Sequence, residues 1–383
     1  MARESLAAID PARILFIKPS SLGDIAHAVP AFNALRRRFP AAAISWLVFE
    51  EFAGILEGLP GLDGVIVAAR RGGWREVLRA VRERRFDLAV DLQDLFRSGW
   101  LARGSGAPIR VGLSDAREGA GLFYTHRVPV PRRTMHAAER YGLAAEALGG
   151  RFDPADGVLP VTPAAKERVD KVLQEAEIQD GVPLVGLAPG GRWKTKRWPP
   201  ERFALAGREI RSRLGAAVVV IGSAGEAGLC ETVAGGIPGA VSLAGRTVVS
   251  DLAGLAVRLD ALLTNDCGFM HVAAAMRVPV AAVFGPTDPD AVGPYVPGRV
   301  PTGFGPRSRS GLPAPGPGPG FGNRGTGGAA ARVLRAAVPC GPCRRRTCWH
   351  LTCLERIGAD EAADAVASLV EAGREKQAVS AAQ

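Results

Sequence analysis

No run in the 383-residue chain approaches the roughly 18 apolar residues of a membrane span, and the opening MARESLAAIDPARILFIKP has no apolar stretch of signal-peptide length. These absences argue against a helical membrane protein and lead to the expectation of a cytoplasmic one. Cysteine is scarce as well. Six thiols spread over 383 residues do not make a disulfide-stapled secreted scaffold. No GxxxxGK[ST] string occurs, which disfavours an ATP-hydrolysing P-loop machine. Acid is missing from residues 296–347, which hold nine arginines: Arg299, Arg307, Arg309, Arg324, Arg332, Arg335, Arg344, Arg345 and Arg346. Nearly all of the formal +10 charge is therefore local. Such a stretch is read either as a solvated, flexible segment or as a contact for anionic lipid or polyphosphate. A nucleic-acid partner is not expected.

What is present suits a globular protein. The chain is 47% hydrophobic and 22% charged, enough to bury a sizeable core, and its length fits two domains of roughly 150 to 200 residues. Short β-branched runs alternate with helical periodicity, the pattern of parallel sheets flanked by helices. Strands are expected at 14–18, 43–49, 64–68, 88–92 and 109–113, then at 184–189, 217–222, 240–245, 261–266 and 278–285. Helices are expected at 25–38, 74–85, 136–148, 163–178, 199–214, 226–235, 250–258, 267–276 and 359–373, with the domains meeting near 176–183. Residues 296–330 contain eleven Gly and seven Pro, a composition that supplies no packed core and is expected to be disordered.

Ligands of doubly wound sheets sit at the carboxyl ends of the strands, so a site shared by two facing domains should be built from strand-to-helix loops. The first informative loop, residues 18–27, places Ser20, Ser21, Gly23 and Asp24 between a strand and a helix. Asp24 either caps that helix, contributing ~0.5 to 2 kcal/mol, or accepts a proton from a hydroxyl nucleophile. His27 is read as an ordinary, partly buried helix residue.

The second loop, residues 188–201, has Gly190 and Gly191 followed by Arg192, Lys194, Lys196 and Arg197 ahead of a proline-started helix. It suits a pyrophosphate, or else is a solvated basic loop; Trp193 and Trp198 favour the first, since both would otherwise be exposed aromatics. The third loop carries Asp266, Cys267, Gly268, Phe269 and His271 from a strand into an Ala-rich helix. Asp266 either caps that helix or bonds sugar hydroxyls, and the N–H groups of Cys267, Gly268 and Phe269 are available to a phosphate. Glu226 is read as a ribose ligand or a surface carboxylate, and Arg97 as an acceptor contact or a plain helix-start arginine. Cys340, Cys343, Cys348 and Cys353 are read as a structural zinc site, or as reduced thiols or a disulfide.

The strings PSSLGDIAHAVPA, KRWPPERFA and TNDCGFMHVAAAMRVPVAAVFGPTDPD, in this order, resemble the ADP-heptose:lipopolysaccharide heptosyltransferase family, its heptosyltransferase II branch most. The similarity runs over nearly the whole chain outside 296–332. It implies an α/β fold of the GT-B type, two facing Rossmann-like doubly wound domains. An acceptor domain would span 1–178 and a nucleotide-sugar domain 179–383, interrupted near 296–332 by an insertion where the family has a short connection. It further implies inverting transfer of L-glycero-D-manno-heptose from ADP-heptose to the inner core of a lipopolysaccharide precursor at the inner membrane surface.

Carried over position by position, Asp24 matches the general base and Lys196 the lysine on the donor phosphates. Donor contacts are assigned to Ser20, Ser21, Gly23, Gly190, Gly191, Lys196, Glu226, Asp266, Cys267, Gly268, Phe269 and His271, and an acceptor contact to Arg97. Position 267, usually a hydroxyl residue in the family, is Cys267. No cofactor is implied for catalysis, and the Asp288-Pro289-Asp290 string lies in the family's GPTxP turn, so no catalytic metal is expected. Two other readings stay open: a related GT-B transferase using another nucleotide sugar, and a catalytically inactive nucleotide-sugar-binding protein spoiled by the insertion.

Overall fold

The structure, a computed structural model, describes residues 6–131, 135–295 and 331–381. The expected disordered segment 296–330 lies outside the described residues. The chain divides into two units, Met1–Pro160 and Val161–Gln383.

In the first unit, β1 (Arg13–Ile17), β2 (Ala43–Phe49), β3 (Gly64–Ala68), β4 (Leu88–Asp91), β5 (Ile109–Leu113) and β6 (His126–Val128) form one parallel sheet in the order β3-β2-β1-β4-β5-β6. β1 and β4 are buried along nearly their whole length, because helices cover both faces of a parallel sheet and leave no polar side for alternation. Helix Leu22–Arg38 starts at Ser21 with Asp24 completing a capping box, and ends on Arg36, Arg37 and Arg38, cations suited to a helix C-terminus. It packs against helix Ala137–Ala147.

The second unit repeats the plan. β7 (Leu184–Ala188), β8 (Ala217–Val220), β9 (Val241–Ser242), β10 (Ala261–Asn265), β11 (Val280–Val283) and β12 (Ala331–Leu334) form a parallel sheet ordered β12-β11-β10-β7-β8-β9. Helix Pro200–Leu214 opens on proline and is closed by Gly215 at φ +60°, a conformation that glycine adopts without strain. Helix Ala359–Ala381 packs on it and on β10, β11 and β12. The core between them includes Trp198, Phe203, Leu354, Ile357 and Val366.

Each sheet starts at an inner strand, grows to one edge and then restarts on the other side of that strand. The winding therefore reverses between β1 and β4, and between β7 and β10, where adjacent loops part and leave a place for ligands. Register sharpens the point. Ile17 pairs with Asp91 and Ala188 with Thr264, so the two loops at each reversal leave the sheet side by side.

The differences from expectation are local. β6, β12 and helix Phe96–Gly104 were not anticipated: the edge strands HRV and ARVL are too short and too charged to read as apolar runs. β12 also takes residues 331 and 332 out of the expected insertion, because Ala331 and Leu334 are buried beside β11. The expected domain boundary at 178 falls after helix Pro163–Glu175, yet that helix belongs to the second unit. Arg168 pairs with Asp251 at 2.6 Å and Glu175 with Arg246 at 2.7 Å, while Asp170 pairs with Arg258.

Candidate active-site residues at the two reversal points

At the β1/β4 reversal, Asp24 is the best-connected carboxylate with access to solvent. Its Oδ2 accepts from the Ser21 N–H at 3.2 Å and the Ser21 hydroxyl at 2.9 Å, and its Oδ1 accepts from the Tyr141 hydroxyl at 2.9 Å. Lys18 Nζ stands 4.0 Å from Oδ1, donates to the Leu92 carbonyl at 2.9 Å and lies 4.5 Å above the Tyr141 ring. Burial acts to raise the Asp24 pKa, but the Lys18 and His27 charges and the Ser21 bonds outweigh it and hold the carboxyl below the usual range. Burial likewise lowers the Lys18 amine, with Asp24 opposing. Asp24 thus caps its helix and is still 39% exposed at the side chain, so the two readings of it are compatible. Ser21, assigned to the donor, gives its hydroxyl proton to Asp24 and keeps its oxygen lone pairs as acceptors. His27 is buried, its ring 4.8 Å from that of His136.

Behind Asp24 lies a polar cluster absent from the sequence reading. Asp91 is fully buried and accepts from the Tyr124 hydroxyl at 2.8 Å and the Gln93 N–H at 2.9 Å. Asp94 accepts from the Leu113 N–H at 3.2 Å and faces Arg140 at 3.5 Å. Burial and then Asp91 push the Asp94 pKa up to about 7, against the pull of Arg140. A carboxyl whose folded pKa exceeds its unfolded value binds protons more tightly when folded. Its favourable contribution is present below the unfolded value near 3.8 and is lost as pH rises through about 7. Asp94→Asn keeps an acceptor and tolerates the residue's φ of +56°. Wild type should therefore lose stability between pH 4 and 7 relative to this variant, by at most ~4 kcal/mol. Melting curves across that range check it, and parallel pH dependences would refute it.

Arg97 is exposed, stacks 4.6 Å over Trp74 and donates to the Arg70 carbonyl at 3.2 Å, which ties its helix to the loop after β3.

At the β7/β10 reversal, Lys196 Nζ pairs with Asp266 Oδ2 at 2.6 Å, and the Thr287 hydroxyl donates to the same oxygen at 2.6 Å. Asn265, missed in the sequence, braces the loop: its Nδ2 donates to the Pro189 carbonyl at 2.8 Å and its Oδ1 accepts from the Trp198 N–H at 3.0 Å. The two tryptophans differ. Trp198 is core, whereas the Trp193 ring contacts two cations, Lys196 Nζ at 4.8 Å and the Arg346 guanidinium at 4.9 Å. The cysteine-bearing segment holds this loop in place, with the Thr195 hydroxyl donating to the Arg345 carbonyl at 2.8 Å.

Glu226 does more than meet solvent. Its Oε1 accepts from the Gly191 N–H at 3.1 Å, and its Oε2 from the Ser223 N–H at 3.0 Å and hydroxyl at 2.8 Å. One Oε1 acceptor site remains. Gly190 is a glycine for this reason too, since a Cβ there would meet Glu226 Oε1 at 2.2 Å. Gly190→Ala should push Glu226 off Gly191 and destabilise the protein by ~0.5 to 1.5 kcal/mol, the worth of that hydrogen bond, read as a lower Tm; an unchanged Tm would show that Glu226 moves away freely.

Helix Gly268–Ala275 starts at Cys267, which contacts the Thr264 hydroxyl at 3.3 Å. Burial raises the Cys267 thiol, against hydrogen bonds from Thr264 and from the backbone of Met270 and Phe269. Phe269 and His271 are buried and Gly268 is half-buried. Asp288 caps Pro289–Val292, accepting from the Asp290 N–H at 3.0 Å.

All six cysteines are free thiols. Burial raises the Cys353 thiol, reinforced by nearby Cys340, Cys343 and Cys348. Among the described residues no three His, Cys, Asp or Glu side chains form a group that could hold a metal ion. No described helix is long and apolar enough to cross a membrane.

Residues 74–303, more than half of the chain, match the family model for glycosyltransferase family 9 (heptosyltransferase). The chain is 30% identical over 354 residues to lipopolysaccharide heptosyltransferase 1 of Pseudomonas aeruginosa, covering 88% of each protein. It is 26% identical over 298 residues to lipopolysaccharide heptosyltransferase 2 of Escherichia coli K12, covering 74% of this chain and 85% of that relative. The solved structure of the E. coli ADP-heptose lipopolysaccharide heptosyltransferase II matches with a TM-score of 0.72 at 23% identity, over 94% of this chain and 99% of that one. This last likeness is one of fold, the GT-B class of two Rossmann-like units.

Proposed function

The chain belongs to glycosyltransferase family 9, the heptosyltransferases, and from that premise we propose that it transfers L-glycero-D-manno-heptose, with inversion, from ADP-heptose to the inner core of a lipopolysaccharide precursor. One observation carries the reading. The carboxylate and the ammonium group that such a reaction needs, Asp24 and Lys196, each stand at the reversal point of a doubly wound sheet.

The acceptor hydroxyl gives its proton to Asp24 while its oxygen forms a bond to the anomeric carbon. The bond from that carbon to the phosphate oxygen breaks, and ADP leaves with the electron pair. Lys196, held by Asp266, has two further N–H donors for the diphosphate, where negative charge grows. The remaining Glu226 Oε1 site accepts from the ribose, and the start of helix Gly268–Ala275 lies beside the phosphates. Asp24 is held below the ordinary carboxyl range in the free protein, and the anionic donor raises its proton affinity when bound. No cofactor takes part in this scheme.

The acceptor is a lipid-anchored glycan, so the enzyme works at the inner membrane surface from the cytoplasmic side. Arg344, Arg345 and Arg346 are exposed, and Trp349, 92% exposed, projects beside them, a pairing that suits an anionic bilayer. Arg345→Ser/Trp349→Ser should weaken binding to phosphatidylglycerol-containing vesicles ~10-fold; equal co-sedimentation of variant and wild type rejects this surface.

Incubation of the purified protein with ADP-heptose and a heptose-depleted core acceptor tests the main reading. Heptose transfer with ADP release is expected. Donor binding without turnover identifies an inactive sugar-nucleotide binder.

A further inference from the structure

We propose that Tyr141 is the positioning residue of the base: its hydroxyl fixes the one Asp24 oxygen that retains an open acceptor site. The inference rests on Asp24 being the base.

An ionised carboxylate has about four acceptor sites, two on each oxygen. On Asp24, Oδ2 is filled by the N–H and the hydroxyl of Ser21, at 3.2 Å and 2.9 Å. Among the described residues Oδ1 takes a single hydrogen bond, from Tyr141 at 2.9 Å, with Lys18 Nζ at 4.0 Å too far to donate well. Any hydroxyl that loses its proton to Asp24 therefore meets Oδ1. Rotation about the terminal torsion of an aspartate is soft and the Ser21 N–H bond is long at 3.2 Å, so the direction of that open site depends on the bonds at both oxygens, of which the Tyr141 bond is the one made to Oδ1 itself.

Tyr141 is well built to hold it. Its ring is buried, it stands on helix Ala137–Ala147 packed against the Asp24 helix, and one face is covered by Lys18, itself pinned to the Leu92 carbonyl at 2.9 Å. Burial, and then Asp24, raise the phenol pKa, so the hydroxyl donates rather than ionises. Neighbouring Arg140 anchors the same helix turn through Asp115 at 2.7 Å and Asp94 at 3.5 Å. Ser21 secures the helix start, and Tyr141 aims the reacting oxygen.

Steady-state kinetics of Tyr141→Phe with ADP-heptose and a heptose-depleted core acceptor, from pH 4 to 9, test the idea. With donor saturating, where the bound diphosphate lifts Asp24 toward the assayed range, removing a bond to the charged form should raise the acid limb of the kcat profile by ~1 unit. Losing the aim should lower kcat ~10- to 100-fold, with the KM for donor unchanged. An unmoved acid limb, or a rise in donor KM with kcat intact, overturns the proposal. Asp24→Asn in the same assay separates the two ideas: an active Asp24→Asn enzyme removes the base reading itself, whereas an inactive one beside an unmoved Tyr141→Phe limb removes only the role of Tyr141.

Discussion

Asp24→Asn is expected to lower kcat by ~10²- to 10⁴-fold, the range for losing a general base, while ADP-heptose binds at least as tightly as in wild type, because the carboxylate charge that opposes the diphosphate is gone. The donor contacts proposed around Lys196 are untouched by the change. An amide offers one acceptor oxygen where the carboxylate offers two, so the variant keeps either the Ser21 pair or the Tyr141 bond. The helix cap weakens by about 1 kcal/mol, a small fall in Tm that leaves the protein folded. Turnover and calorimetric donor titration of the same preparation separate the effects. A variant that turns over within ten-fold of wild type would show that Asp24 only caps its helix.

The loops that matter were legible because each is a local event. An apolar strand, a polar turn and a helical pattern follow one another within about a dozen residues at Lys18–His27 and at Thr264–Ala275, and that order alone marks a strand-to-helix loop. The partners of those loops were not legible, because they come from elsewhere in the chain. Tyr141 lies 117 residues from Asp24, and Asn265 lies 76 from the carbonyl it braces. Asp91, inside the expected strand 88–92, and Asp94 just after it drew no role from the sequence; only the fold buries them, with Asp94 facing Arg140. Gly190, assigned to the donor, has a second reason in the fold that the sequence did not carry: the close approach it permits is that of Glu226, a protein carboxylate. Trp198, taken as a sign of a ligand loop, is a core residue whose indole N–H donates to the Ile357 carbonyl at 3.3 Å.

Lys196→Met should weaken ADP-heptose binding at least ~10-fold, since each charge-assisted bond lost to the diphosphate is worth ~1.5 to 3 kcal/mol. The single variant carries a second effect that must be removed before the number means anything. Lys196 and Asp266 are 16% and 6% exposed at their side chains, and Asp266 without its lysine is a nearly buried, unpaired charge. Breaking such a pair from one side costs about 3 to 5 kcal/mol, so the single variant should melt well below wild type. In Lys196→Met/Asp266→Asn the stranded charge is gone and the Thr287 hydroxyl still has an acceptor, so most of the Tm should return. Donor affinity should not return with it. A double variant that is stable and binds donor more weakly than Asp266→Asn alone assigns Lys196 to the phosphates, whereas one that binds ADP-heptose as Asp266→Asn does reduces the lysine to one half of a structural clasp between the loops after β7 and β10.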